Sequence, residues 1–432
     1  MYPWHKSLTA WAQGTGLRID ALGLVTLLGA EEMDRRVGRL MPSHYLDHLP
    51  LLGAFTVASD RITEKKAGYT IYNISAGIVT RELAGWFSRW LQAQEFHKVR
   101  SQVKWEVVER PRRWKAFFAV LLFLSFPIHG MLIALAVLAA DWWGLANVLS
   151  MIISVIVRCV QVAQNQAGID ANIILAMEKV DEDLARYEEA KAKFEEICRD
   201  GRLNDRTKVP SRPKGRDSVK VIVVTEDSKV VSIDAPGFLI KPAFTEHPQI
   251  PSPFFYLFCR IVGWIAFAVH VISIGMAALH IQICSVTLII VATTLTALKV
   301  GCEDSQIWNV VWNKIRGINN EDNTWSCWVT PRLKATVSSY PAEYTQWDPV
   351  SKESKVPRTK DLEHGAHAWP EQRPPIAERR QDLFAWLDLT EEEDERMEAW
   401  GLIPHNREWK AAYLEKKMNH RQRAQYGNLE AK

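Results

Sequence analysis

Four apolar stretches between residues 117 and 298 limit what this 432-residue chain can fold into more than any other feature. They run from Phe117 to Ala140, from Gly144 to Ala163, from Phe254 to Leu279 and from Ile281 to Leu298. About 20 apolar residues at 1.5 Å rise cover a hydrocarbon layer roughly 30 Å thick, so each stretch has the length of a membrane-crossing helix. Arg158 and Arg260, each near one end of its stretch, are their only lysine, arginine or carboxylate charges, and Pro127 predicts a kink or tilt in the first. Asp141-Trp142-Trp143 separates the first two stretches and His280 the last two, so the pattern predicts two tight transmembrane hairpins. A mean hydropathy of -0.13 hides them, because the remaining segments are strongly polar.

Orientation follows from flanking charge, since Lys and Arg near a span are retained on the cytoplasmic side. Arg110, Arg112, Arg113 and Lys115 precede the first stretch, whereas neither hairpin turn holds a Lys or Arg. Both termini and the 164–253 segment are therefore expected on the cytoplasmic face, where Arg158 and Arg260 sit close enough to the headgroups to snorkel. The run Ala21–Ala30 lies behind Lys6 and Arg18 like a signal core, but Asp20 abuts it, and a short buried helix is the better reading. Asn73-Ile74-Ser75 is a glycosylation sequon, and a sugar on Asn73 would contradict this orientation.

Lipid gives no hydrophobic drive for helix association, so packing faces need small residues and hydroxyls. Ala146, Ser150, Ser154 and Arg158 form one such face. Gly263, Ala266, His270, Ser273 and Ala277 form another, with Ser285, Ala292, Thr293 and Thr296 on the fourth stretch and Gly130, Ala134 and Ala140 on the first. A four-helix bundle with these faces inward is expected, Ser150, Ser154, Gly263 and Ser273 being the packing candidates. His129, His270 and Arg158 form the candidate intramembrane polar site. It has two readings: a proton relay or bis-His metal or haem site, or neutral imidazoles bonded to a carbonyl freed by Pro127 or to nearby hydroxyls. The bundle offers no carboxylate for proton coupling, and no cofactor or metal is called for.

The polar segments divide into 1–115, 164–253, 299–340, 341–375 and 376–432, around hairpins at 116–163 and 254–298. Leu83, Trp86, Phe87, Trp90 and Leu91 carry a helical stripe that extends through Val99 and Val103 toward the membrane. Its outer Lys98, Arg100 and Lys104 suit the acidic stalk that follows the first hairpin, where Ile173, Met177, Val180, Leu184 and Tyr187 form a coiled-coil seam. Arg202 to Lys220 reads as a basic linker. Val219–Thr225 and Lys229–Asp234 read as a β-hairpin around Glu226-Asp227-Ser228, and an isolated hairpin is marginal in water. It is therefore expected to pack on a unit assembled from amino-terminal, middle and carboxy-terminal segments. Ile307, Trp308, Val311, Trp312 and Ile315 suggest a membrane-proximal helix, with Trp105, Trp114, Trp142 and Trp143 as further interface residues and Trp86 and Trp90 in a core or groove. Pro341–Pro375 reads as a linker, Thr390 with Glu393 as a capping box opening a helix, and Asn406 as the start of a last basic helix.

Catalytic signatures are lacking: there is no Walker loop, G-x-S-x-G or H-E-x-x-H, and Gly14-Thr15-Gly16 is incomplete. His44, Asp47 and His48 have metal-like spacing without an identifiable third side-chain ligand, and His364 and His367 lie in a loop. Six cysteines without a C-x-x-C argue against a disulfide framework or a zinc knuckle. Lys+Arg 53 against Asp+Glu 50 gives a net charge of +3, too balanced for a nucleic-acid partner. The expectation is thus a mainly α, four-span membrane bundle with cytoplasmic helices and one small β-hairpin. Its expected role is that of a non-enzymatic scaffold, tether or accessory subunit, in contact with the lipid bilayer and with a protein partner or a second copy. The alternative is a small oligomeric transporter or channel using His129, His270 and Arg158.

Overall fold

The computed structural model describes residues 38–40, 47–51, 65, 67–94, 96, 101–109, 121–199, 212–213, 215–304, 324–339 and 376–430. The protein is mainly helical, but it is organised around a seven-stranded sheet. The strands are β1 (Thr70–Asn73), β2 (Ile78–Thr80), β3 (Ser101–Val107), β4 (Ser218–Val224), β5 (Val230–Pro236), β6 (Thr324–Trp328) and β7 (Leu333–Ser339), in the order β2-β1-β4-β5-β3-β7-β6. Among the described strands β3 and β5 pair in parallel and the other neighbours are antiparallel. The expected hairpin is present as β4 and β5, closed by Thr225 and Lys229 with Ser228 in the left-handed region. Its alternation puts Val221, Val223, Val231 and Ile233 on one face and Ile222 and Val230 on the other.

Two further expectations are corrected by this sheet. It contains more than one hairpin, and the stripe from Leu83 does not continue as helix past residue 94: α1 spans Gly85–Ala93 and Ser101–Val107 is a central strand. Val103, Trp105 and Val107 alternate with Gln102, Lys104 and Glu106, a period of two that suits a pleat, and Lys104 pairs with Glu106 (2.9 Å) instead of the stalk. Residues 324–339, expected within a helical segment, form the β6–β7 hairpin. Trp105 belongs to the core and not to an interface. It lies 4.8 Å from Trp90 and 5.1 Å from Phe244, while Phe87 stacks on Phe244 at 4.4 Å. This aromatic cluster joins α1 and the helical segment 237–245 to one sheet face.

The opposite face is covered by α6 (Ile376–Trp386), α7 (Glu391–Ala399) and α8 (Arg407–Glu430), whose Phe384, Leu389, Met397 and Tyr413 pack on Ile74, Ile222 and Val230. The Thr390–Glu393 capping box is formed, and Asn406 accepts bonds from Glu408 and Trp409 at the start of α8. Arg396 donates to the Ile74 and Ser75 carbonyls, and Lys220 bonds Glu393 and the Asp388 carbonyl, fixing this unit to the sheet. Asn73 is buried and its side chain accepts from Ala76, so the sequon is part of a packed turn.

The apolar stretches form α2 (Phe126–Leu138, after a π-helical turn at 121–125), α3 (Trp142–Arg199), α4 (Pro253–Met276) and α5 (Leu279–Ala297). Among the described residues three helices, not four, are long and apolar enough to cross a membrane: α3, α4 and α5. The fourth apolar helix is shorter (Phe123–Leu138), and Pro127 lies in the first turn of its α-helical part, α2. The first hairpin leaves the sheet after β3 and returns as β4; the second leaves after β5 and returns as β6. The expected stalk is not a separate helix but the continuation of α3, which runs unbroken for 58 residues from the bundle along the sheet.

The signal-like run 21–30, His44, the helix expected at 307–315, the linker 341–375 and most of the basic linker lie outside the described residues.

Candidate functional site

The bundle has an inverted hydrophobic pattern. On α4 the large side chains Phe254, Phe258, Ile261, Ile265, Ile272 and Met276 face outward, while Cys259, Gly263, Ala266, His270 and Ser273 are buried. A water-soluble helix buries its large apolar face, so this arrangement fits an apolar surrounding. On α3, Ser150, Ser154 and Arg158 are likewise buried while Leu149, Ile153 and Ile156 are exposed. The small residues expected on the inner face are not the ones that line it: Ala134 and Ala140 are exposed and Gly130 has open space beside it, while Leu132 and Ala136 of α2 pack inward.

A polar seam runs along the inner face of α3 through Asn147, Ser150, Ser154, Arg158, Gln161 and Asn165, spaced three or four residues apart. Asn147 donates to Ser285 on α5 (3.0 Å), and Asn165 bonds Tyr256 on α4 (3.2 Å). Gln161 is fully buried, and among the described residues neither end of its amide has a hydrogen-bond partner; Asn165 Oδ1 also lacks one there. Such groups cost about 1–3 kcal/mol each when unpaired, which marks the place as suited to bound water or a small polar solute.

The three candidate polar residues lie on three different helices, His129 on α2, Arg158 on α3 and His270 on α4. His129 Nδ1 donates to the Ser125 carbonyl (2.8 Å), one turn back on its own helix, and the Ser125 hydroxyl donates to the His48 carbonyl (2.9 Å). His270 is buried on α4, whose chief packing partner is α3, whereas α2 packs on α3 and α5. Arg158 does not reach outward: it is buried and donates to the carbonyls of Asp47 and Leu49 (3.1 Å for the latter), anchoring the 47–51 segment to α3. Asp47 and His48 contribute backbone acceptors here, and among the described residues no group of three or more metal-type ligands occurs.

Asp141 was visible in the sequence only as a boundary, yet it ties the two hairpin turns together. One carboxylate oxygen accepts from Gly144 N–H at the start of α3 (2.9 Å), the other from Ala278 N–H between α4 and α5 (2.6 Å). At the opposite end α3 is locked to the sheet. Gln166 donates to the carbonyls of Leu40 (2.8 Å) and Val329 (2.9 Å), Thr330 donates to Asp170, and the Gln249 backbone lies directly against Gly168. Beside this junction a buried ion pair joins Arg39 to Asp304, which also accepts from Gln94 (3.0 Å). Arg39 donates to Cys302 Sγ as well (3.1 Å). Burial pushes the Cys302 thiol up to about 11 and holds the Cys327 thiol well above its ordinary value, so neither is a ready thiolate at neutral pH. Arg39 and Asp304 lie 265 positions apart and carry no local sequence signal; the amides Asn147, Gln161 and Asn165 did, through their helical spacing.

Comparison with known protein families, curated proteins and solved structures finds no match to this chain. What the fold and the seam define is a class by architecture: an inside-out apolar bundle whose longest helix is built into a helix-covered β-sheet.

Proposed function

We propose that this protein is a multi-pass integral membrane protein acting as a non-enzymatic platform, a scaffold, tether or accessory subunit. The apolar bundle anchors it, and the sheet with its covering helices is offered to protein partners on the cytoplasmic side. One observation carries this reading: both apolar excursions begin and end on strands of the same sheet, so two returning hairpins leave all seven strands on one side. The outward apolar faces of α3 and α4, and the Asp141 clamp that keeps both turns at the far end, support it. The charges at residues 110–115 assign the sheet side to the cytoplasm. Tags on both termini, probed by protease in sealed vesicles, are expected to respond alike, and the protein should resist alkaline carbonate; tags on opposite faces, or release by carbonate, would defeat the proposal. Removing 376–432 should abolish partner association and leave insertion intact.

A second reading, an oligomeric transporter or channel, is favoured by the buried, unpaired Gln161 amide in the seam. In proteoliposomes Gln161→Leu, His129→Ala and His270→Ala would suppress proton or ion flux under that reading, and would leave partner association unchanged under the first.

A further inference from the structure

Beyond the sheet, α3 continues with an apolar strip, Met177, Val180, Leu184, Tyr187 and Phe194, along about 26 Å of helix. The alternating spacing makes Met177, Leu184 and Lys191 one set of seam positions and Val180, Tyr187 and Phe194 the other, the geometry of a coiled-coil face. All five apolar side chains are half-buried along a surface that is otherwise mostly exposed.

The charges beside this strip are distributed unevenly. On the outer face, Glu182 and Glu189 are served from within the helix by Arg186 (3.3 Å) and Lys193 (2.6 Å). The positions flanking the seam are acidic: Asp181, Glu188 and Glu195 on one side and Asp183 on the other. Among the described residues Asp183 and Glu195 have only long ion pairs along the helix, at 3.5 and 3.8 Å, and Glu188 is in none. Asp181 is met from outside the helix. There Gly215 lies against Val180 and the Arg216 guanidinium bonds Asp181. At its base, then, the strip is already engaged in the way its charges invite, by backbone over the apolar seam and a cation on the flank.

We propose that the Met177–Phe194 face of α3 is a docking strip for an amphipathic helix with basic flanking positions. This rests on the platform reading and specifies the chemistry of its partner. A second copy of the chain is a poor occupant, because parallel pairing sets Asp183 against Glu188 and antiparallel pairing sets each flank against itself, a like-charge arrangement that works against self-association.

The test uses the full-length protein in lipid nanodiscs and two fluorescent peptides of about three heptads, both with leucine at the seam positions, one with lysine and the other with glutamate at the flanks. The lysine peptide should bind at least about tenfold more tightly, the equivalent of about 1.4 kcal/mol, and this preference should weaken with added salt. Glu188→Lys combined with Glu195→Lys should reverse the preference, and Leu184→Asp should abolish binding of both peptides without changing the circular dichroism spectrum. Failure of both peptides to bind, equal binding of the two, or a dimer dissociated by Leu184→Asp would overturn the proposal. Vesicle protease protection and carbonate resistance report on the platform reading separately.

Discussion

Gly168→Ala is the sharpest test of how the bundle is joined to the sheet. A methyl group on an interior helical glycine ordinarily stabilises by about 0.5–1 kcal/mol, because it restricts the unfolded chain. At Gly168 that carbon would fall 2.5 Å from the Gln249 carbonyl oxygen and 3.0 Å from its carbon. These atoms are backbone and cannot rotate aside. Relief requires moving residues 247–250, which are held one turn further on by Asn172 (3.4 Å to the His247 carbonyl) and lead directly into α4 at Pro253. Overpacking of this kind costs about 1–3 kcal/mol. Set against the gain from restricting the unfolded chain, the net effect is a loss of about 1–2 kcal/mol and a Tm lower by about 2–4 °C. Gly130→Ala is the matched control: it is also helical, nothing lies within 4 Å of the added carbon, and it should leave Tm unchanged or raise it. Thermal unfolding in detergent, followed by tryptophan fluorescence, distinguishes the two by sign. A Gly168→Ala protein as stable as Gly130→Ala would show that α3 and the segment before α4 are not in the contact described.

Asp141→Ala leaves the Gly144 and Ala278 N–H groups without their carboxylate and should destabilise by about 1–3 kcal/mol in chemical denaturation, with Asp141→Asn recovering part of the loss. Burial holds the Asp170 carboxyl above its ordinary value near 3.8, against the opposing Thr330 hydrogen bond. The native state therefore binds that proton more tightly than the unfolded chain, and the group loses stability as pH rises through this range and gains nothing below it. Asp170→Asn, which keeps an acceptor for Thr330, should accordingly raise Tm at neutral pH and match the parent protein near about pH 3. Cys302 and Cys327, both buried with raised pKa values, should react with maleimide at pH 7 only after denaturant is added; rapid native labelling of either would contradict the packing of the junction.

Much of the helical architecture was legible because its signals are local. Apolar runs of the right length announced α3, α4 and α5; Thr390 and Glu393 announced α7; and the alternation on either side of Glu226-Asp227-Ser228 announced β4 and β5. The small residues of α3 and α4 also marked the faces that are buried. On α2 the residues chosen, Gly130 and Ala134, are not the inward ones: Leu132 and Ala136 fill the contact with α3 and α5 while Ala134 turns outward. Small size identifies a packing face only where helices approach closely enough to need it.

The polar part was less legible, and β3 shows why. Ser101–Val107 follows a strong helical stripe, and its alternation covers only seven residues, so continuation of the helix was the locally consistent reading. What makes it a strand is its neighbours: Ser101 pairs with Val231 on one side and Ser339 on the other, partners supplied after the first and the second apolar excursion respectively. Until the first excursion returns, β3 lacks its β5 neighbour, and until the second returns it lacks β7, so both of its hydrogen-bonding partners are remote in sequence. The need for such a sheet was nevertheless implicit in β4 and β5, since a hairpin with apolar residues on both faces cannot stand alone in water. Val221 and Val223 require the aromatic cluster from α1 and 237–245, while Ile222 and Val230 require the carboxy-terminal helices. A two-faced apolar hairpin between two membrane-length excursions thus demands cover from both ends of the chain, and that demand makes the segments before, between and after the hairpins converge on one sheet.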